Sequence, residues 1–302
     1  MNSVPLDQAG DLRRLVEEKR QAVRRKSRLR TIAVLSGKGG VGKSNMALAL
    51  SCALADKGKR VVILDADLGL ANLDILCGIN AKYNLSHIIK GNHELAEVLT
   101  ALEEKVDILP GGVGLKELTD LDDATLTGVF DTLEKLEDRA DIVILDTGAG
   151  IHKGVLSFAH AADMALLITT PEPTSMRDAY GVIKSLGRSS LDTDVDLLII
   201  VNMAGSEQEA QEVAGRICTA SQQFLGRAPA YLGYVLRDDN VERAVRRRKI
   251  FYRFFPGSPA SLCVKKLAGE LLVLWEGRVT PRSSRGLRSF FLRLTRGFFM
   301  EK

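Results

Sequence analysis

Seven short runs of β-branched and aliphatic residues punctuate the chain: TIAVLS (31–36), RVVILD (60–65), VDILP (106–110), DIVILD (141–146), MALLIT (164–169), DLLIIVN (196–202) and YLGYV (231–235). Each is followed by a longer, helix-compatible segment. Apolar positions within the runs are consecutive rather than alternating, so both faces of each strand are expected to be covered. The pattern predicts an α/β fold, a doubly wound, mostly parallel, seven-stranded sheet with helices on both faces. Three of the runs end in SGKGG, DADLG and DTGAG. Ligands of such sheets bind outside the carboxyl ends of the strands, so the chemistry is expected along one edge of one sheet.

Two regions fall outside this alternation. Residues 1–30 read as a short polar helix, with Leu12 and Val16 as a thin apolar stripe, followed by the basic linker KRQAVRRKSRLR. Residues 31–275 form the sheet domain, and 276–302 a Pro- and Ser-containing linker ahead of a final helix. On that helix Leu287, Phe290, Phe291, Leu294 and Phe298 recur at helical spacing, with Arg288, Arg293 and Arg296 on the flanks and back. Such a face fits an interfacial helix on anionic lipid. It equally fits a last helix packed on the core.

Composition adds exclusions. A chain of 302 residues with 45% hydrophobic content sustains a large core, and a net charge of +4 commits it to no polyanion. The run Arg243–Lys249 reads as a solvated helix face, since no aromatic stacking platform accompanies it, and DNA is not an expected partner. Four scattered cysteines without a C-x-x-C, and an N-terminus without an apolar h-region, lead to the expectation of a cytoplasmic, reducing compartment.

SGKGGVGKS (36–44) carries the sharpest chemical signal: G-x-x-x-x-G-K-[ST], directly after a strand and before the helical pattern NMALALSCALADKG. Glycines there let successive backbone N–H groups curl around phosphate oxygens at a helix N-terminus. The cradle is Gly37, Gly39, Gly40, Val41, Gly42, Lys43, Ser44 and Asn45; Lys43 is expected on the β- and γ-phosphates of ATP, and Ser44 on Mg²⁺. Asp146, ending a buried strand, takes the metal role through a water. Asp65 and Asp67 share one side of another strand end; Asp65 joins the Mg²⁺ environment, and Asp67, further into the cleft, is favoured to orient the attacking water.

Together SGKGGVGKS, DADLGLANLD and ILDTGAG resemble the MinD/ParA family of deviant Walker A ATPases. The resemblance implies a seven-stranded sheet, ATP/ADP and Mg²⁺ as cofactors, and an ATP-dependent homodimer. It also accounts for a second lysine in the loop: Lys38 matches the signature lysine that reaches the partner's phosphates. Asn202 in IIVNM resembles the adenine-reading asparagine. Further segments, TTPEPTSMRDAYGVIK and RAVRRRKIFYRFFPGSPAS among them, are similar to the FlhG (FleN, YlxH) branch, which regulates flagellar number and placement. That branch implies an N-terminal motif stimulating the GTPase FlhF, here DQAGDLRRL with Asp7, Gln8 and Leu12. It further implies flagellar C-ring (switch) proteins as partners and a C-terminal membrane-targeting helix. The protein would then lie peripherally on the inner face of a bacterial cell membrane, at the flagellated pole. One departure is VLRD after Tyr234, where relatives carry V-P-Y-D; it leaves Leu236 and Arg237 without an assigned base contact. A ParA-type DNA-partitioning ATPase is the alternative.

Overall fold

A computed structural model describes residues 29–67, 73–111, 117, 121–188, 195–276 and 286–299. Its strands are β1 (Arg30–Ser36), β2 (Val61–Ala66), β3 (Thr100–Glu103), β4 (Val106–Leu109), β5 (Ile142–Thr147), β6 (Met164–Thr169), β7 (Asp196–Ala204) and β8 (Ala230–Leu236). The helices are α1 (Lys43–Asp56), α2 (Leu73–Cys77), α3 (Leu85–Ile89), α4 (Leu95–Val98), α5 (Asp123–Glu134), α6 (Leu136–Arg139), α7 (Lys153–Ala161), α8 (Pro173–Arg188), α9 (Glu207–Leu225), α10 (Asp239–Arg246), α11 (Phe251–Phe254), α12 (Pro259–Glu276) and α13 (Gly286–Phe299).

All seven apolar runs are strands of one sheet, ordered β3-β4-β2-β5-β1-β6-β7-β8. Every pairing is parallel except β3 with β4. Every residue of β2, β5 and β6 is buried, as expected of strands covered on both sides. The sheet has eight strands rather than seven. The additional strand, TALE, is short and only half-buried, and a register shift interrupts its antiparallel pairing at the edge. Edge strands of this kind carry no continuous apolar run, which is why periodicity does not find it.

Helices form two layers. On one face α1, α11 and α12 pack with Ile32, Val34, Ile144, Leu166 and Ile200. On the other, α5, α7, α8 and α9 pack with Leu35, Leu64, Leu145, Leu167 and Ile199. Helix α13 belongs to that second layer: Leu287, Phe290, Phe291 and Leu294 are buried within it. The terminal helix is therefore packed into the core in this structure. Residues 1–28, including Asp7, Gln8 and Leu12, and the linker 277–285 lie outside the described residues.

Candidate functional site

Local chain chemistry builds the phosphate cradle. Gly40 and Gly42 have φ of 80° and 87°, a region that L side chains rarely adopt. Gly37 is fixed by contact as well, because a Cβ there would sit 2.7 Å from the Asp178 Cβ and closer still to its backbone. Gly42 is the N-cap of α1 and offers no side-chain cap, and the first turn of α1 contains no acidic residue. The first amide N–H groups, at Lys43, Ser44 and Asn45, therefore lack intrahelical partners and attract an anion. The backbone N–H of Gly150 donates to the Ser36 carbonyl at 2.8 Å, tying the DTGAG loop to the phosphate loop.

Behind the cradle lies a set of carboxylates. Asp65 and Asp146 are direct register partners on the parallel strands β2 and β5. Lys43 Nζ donates to Asp146 Oδ1 at 2.9 Å, and both side chains are buried. The Asp65 carboxyl is pushed up to about 7, chiefly by burial with help from the neighbouring charges of Asp146 and Asp67, against the opposing backbone N–H donors of Asp67 and Leu73. Asp67 follows on the same side, its carboxylate lying against Gly148 of the DTGAG loop, where a Cβ would meet Asp67 Oδ1 at 3.4 Å. Asp65 and Asp146 thus lie side by side with Lys43 paired to Asp146, a local excess of negative charge that a divalent cation relieves.

Asp65 and Asp146, paired across β2 and β5, fit Mg²⁺, which keeps waters and takes one or two carboxylates together with substrate phosphates; among the described residues no group of three or more His, Cys, Asp or Glu side chains forms a metal cage. Ser44 opens α1 beside Lys43, and Asp146 and Asp65 face each other across two strand ends, so these three residues would hold the ion. When bound, Mg²⁺ neutralises charge developing on the phosphate oxygens. Lys43 of the cradle reaches back to Asp146, and Asp67 lies against Gly148 of DTGAG. Residues 68–72, the rest of DADLGLANLD, lie outside the described residues.

A cavity of about 320 Å³ adjoins the cradle. Met46, Val235, Val241, Val245 and Phe251 make its apolar walls, and Gly42, Asn45 and Asn202 border the loop side. Asn202 Nδ2 donates to the Val41 carbonyl at 2.8 Å, which fixes the amide and keeps Oδ1 as its acceptor. Gly42 allows this approach, because a Cβ there would lie 2.4 Å from Asn202 Nδ2. The cavity has the size and mixed lining of a base pocket.

The two loop lysines have separate surroundings. Lys43 is buried on Asp146. Lys38 is at the surface, 28% exposed, where Nζ donates to Glu172 Oε2 at 2.6 Å and to Thr174 Oγ1 at 2.9 Å. Lys38 beside it holds the exposed Glu172 carboxyl below its ordinary range. Sequence reading assigned no role to Glu172 and Thr174. They lie in TTPEPTS, more than 130 residues from Lys38, and only the sheet order, which sets β1 beside β6, brings them together.

The predicted lipid-facing residues sit elsewhere. Leu287, Phe290, Phe291 and Leu294 pack against α7 and α5, with Phe291 stacked on Phe130 at 5.3 Å between ring centroids. In this state they face protein, because the same apolar stripe fills the core. Phe298 lies on the last turn of α13, its side chain outside the described residues. Polar groups also hold the helix: the backbone N–H of Leu287 donates to the buried Glu137 carboxylate at 2.7 Å, Arg288 pairs with Asp131 at 2.7 Å, and Arg293 Nε donates to the Ala161 carbonyl at 3.1 Å. Ala161 ends α7, the helix that starts just after the DTGAG loop. Among the described residues no helix is long and apolar enough to cross a membrane.

Comparison with known proteins agrees with this geometry. Residues 29–196 match the AAA domain family AAA_31. The antiactivator FleN of Pseudomonas aeruginosa is 38% identical over 264 residues, spanning 87% of this chain and 92% of that protein. The flagellum site-determining protein YlxH of Helicobacter pylori is 34% identical over 270 residues, spanning 89% and 90%. Among solved structures, the MinC:MinD cell division protein complex of Aquifex aeolicus superposes with a TM-score of 0.63 at 26% identity, covering 83% of this chain and 97% of that one. With its phosphate loop, paired strand-end carboxylates and second surface lysine, the chain belongs to the MinD/ParA-type P-loop ATPases, in the branch that includes FleN and YlxH.

Proposed function

We propose that this ATPase is a nucleotide-driven dimer switch that regulates flagellar number or placement from the inner face of the bacterial membrane. The observation that carries the reading is the division of labour between its lysines. Lys43 is buried and committed to the intramolecular site, whereas Lys38 stands at the surface, held by Glu172 and Thr174. A lysine so placed is available to a second copy's triphosphate, where it would act as an arginine finger does. In the dimer, Asp67 orients water for in-line attack on the γ-phosphate, while Lys43 and the second copy's Lys38 stabilise the charge that develops.

ATP-dependent pairing displaces the DTGAG loop, α7 transmits the displacement to α13, and the released helix turns Leu287, Phe290, Phe291, Leu294 and Phe298 toward anionic lipid. One such helix binds weakly; two on a dimer bind by avidity. The segment around Asp7, Gln8 and Leu12 stimulates the GTPase FlhF, with the Gln8 carboxamide orienting water in that partner's site. Flagellar C-ring proteins are the other expected partners. Support comes from the names of the similar proteins, an antiactivator and a flagellum site-determining protein.

The test is sedimentation with anionic liposomes in ATP and in ADP, for the full chain and a version ending at Pro281. Cosedimentation of the full chain in ATP alone is expected. Equal binding by the two versions would refute the membrane arm, and an unchanged molecular mass in ATP would refute the dimer.

A further inference from the structure

In the cavity beside the cradle, Arg237 is the one cation among the lining residues. Its backbone N–H donates to the Ala204 carbonyl at 2.8 Å, which fixes the residue just beyond the end of β8. The side chain is exposed and, among the described residues, has no hydrogen bond or ion pair. Two of the three carboxylates lining the pocket are engaged elsewhere, Asp238 by the Asn240 and Ala260 N–H groups and Glu242 by Arg246, and the third, Asp239, forms no ion pair with Arg237. An unpaired guanidinium therefore stands at the rim of a pocket whose opposite walls, Val241, Val245 and Phe251, are apolar.

We propose that Arg237 is a base-stacking residue of this site, closing its plane over the nucleobase and favouring purines over the smaller pyrimidines. A guanidinium is planar, weakly hydrated and stacks on aromatic faces, and a purine offers it the larger area. Orientation of the base in its plane remains the task of Asn202, whose Oδ1 accepts from an amino group. Arg237 touches no reacting phosphate, so it positions substrate without joining the chemistry. This inference rests on reading the cavity as the base pocket.

The experiment is calorimetric titration of the full chain with ADP, CDP and inorganic pyrophosphate, for the native sequence, Arg237→Ala, Arg237→Lys, Arg237→Tyr and Asn202→Ala. Loss of the stacking plane in Arg237→Ala is expected to weaken ADP roughly three- to tenfold, CDP less, and pyrophosphate not at all. Arg237→Tyr restores ADP affinity because a ring also stacks; Arg237→Lys does not, because it keeps the charge and loses the plane. Equal affinities for the native, Lys and Ala forms would overturn the proposal if Asn202→Ala still weakens ADP. Full rescue by Lys, or a parallel loss of pyrophosphate affinity, would make Arg237 a charge contact and overturn it too. If neither Asn202→Ala nor Arg237→Ala changes ADP affinity, the base lies elsewhere and the pocket reading itself fails. Unchanged thermal unfolding of the three Arg237 variants confirms that this exposed position is not structural.

Discussion

The carboxyl edge of the sheet and the face that seats α13 are built on opposite principles. At the edge, electrostatics dominate: positive-φ glycines, helix amides without side-chain caps, and Asp65 beside Asp146, which Lys43 pairs. At the α13 face the reverse holds. Four apolar side chains are buried, rings stack, and polar anchors terminate both ends of the contact. Each region is complete in a different way. The edge offers uncapped helix amides and a strand-end carboxylate pair to a ligand, whereas the α13 face is closed by its own packing, which the proposed membrane role would require it to give up. In the proposed switch α7, which begins after the DTGAG loop and packs against α13, is the element that would carry a change at one region to the other.

The largest separation between the regions is expected from Lys43→Ala. It leaves the Asp146 carboxylate buried without its cation, a change that costs about 3–5 kcal/mol. ATP turnover should fall at least about 100-fold while α13 stays docked. Circular dichroism melting and phosphate release measure the two effects, and native-like turnover would show that Lys43 does not hold the phosphates.

Next in size is Phe291→Ala at the docking face. Deleting a buried ring stacked on Phe130 costs about 3–5 kcal/mol, concentrated in the helix contact. Liposome binding should then no longer require ATP, and amide exchange along α13 should accelerate with the nucleotide edge unaffected. Exchange that speeds up uniformly across the protein would instead make α13 a permanent part of the core.

A pH experiment sharpens the account of the edge. Asp65 carries its proton up to about 7 in the folded protein, against an ordinary value of 3.8. Its cost to stability is therefore absent below the ordinary value, grows across the window between the two, and is complete above about 7. Asp65→Asn should stabilise the nucleotide-free protein by on the order of a few kcal/mol at pH 8, and far less at pH 5. An equal gain at both pH values would mean that the charge of Asp65 is not what strains the site. The smallest effect belongs to Arg288→Ala, whose half-exposed pairs with Asp131 and Glu134 contribute about 0.5 kcal/mol to docking. Salt should erase the difference.

The same contrast decides what was legible in the sequence. Phosphate-loop chemistry is local, so SGKGGVGKS and three acids at strand ends announced it, and seven apolar runs announced seven strands. Polar, half-buried β3 left no such trace. An amphipathic stripe states that a helix buries one face and not against what, so the stripe of α13 could not distinguish lipid from Phe130 and α7. Glu172, Thr174 and Glu137 were invisible for another reason. Each acts on a residue more than 130 positions away, and only the strand order and helix packing bring the partners together.

The most direct test of the central claim is ATP turnover per molecule against protein concentration, for the native sequence and Lys38→Ala. Specific activity that rises with concentration in the native protein and collapses in Lys38→Ala is the predicted result, because the second lysine then works on another copy's phosphates. Specific activity that is independent of concentration and indifferent to Lys38 would contradict it and make each chain a self-contained enzyme.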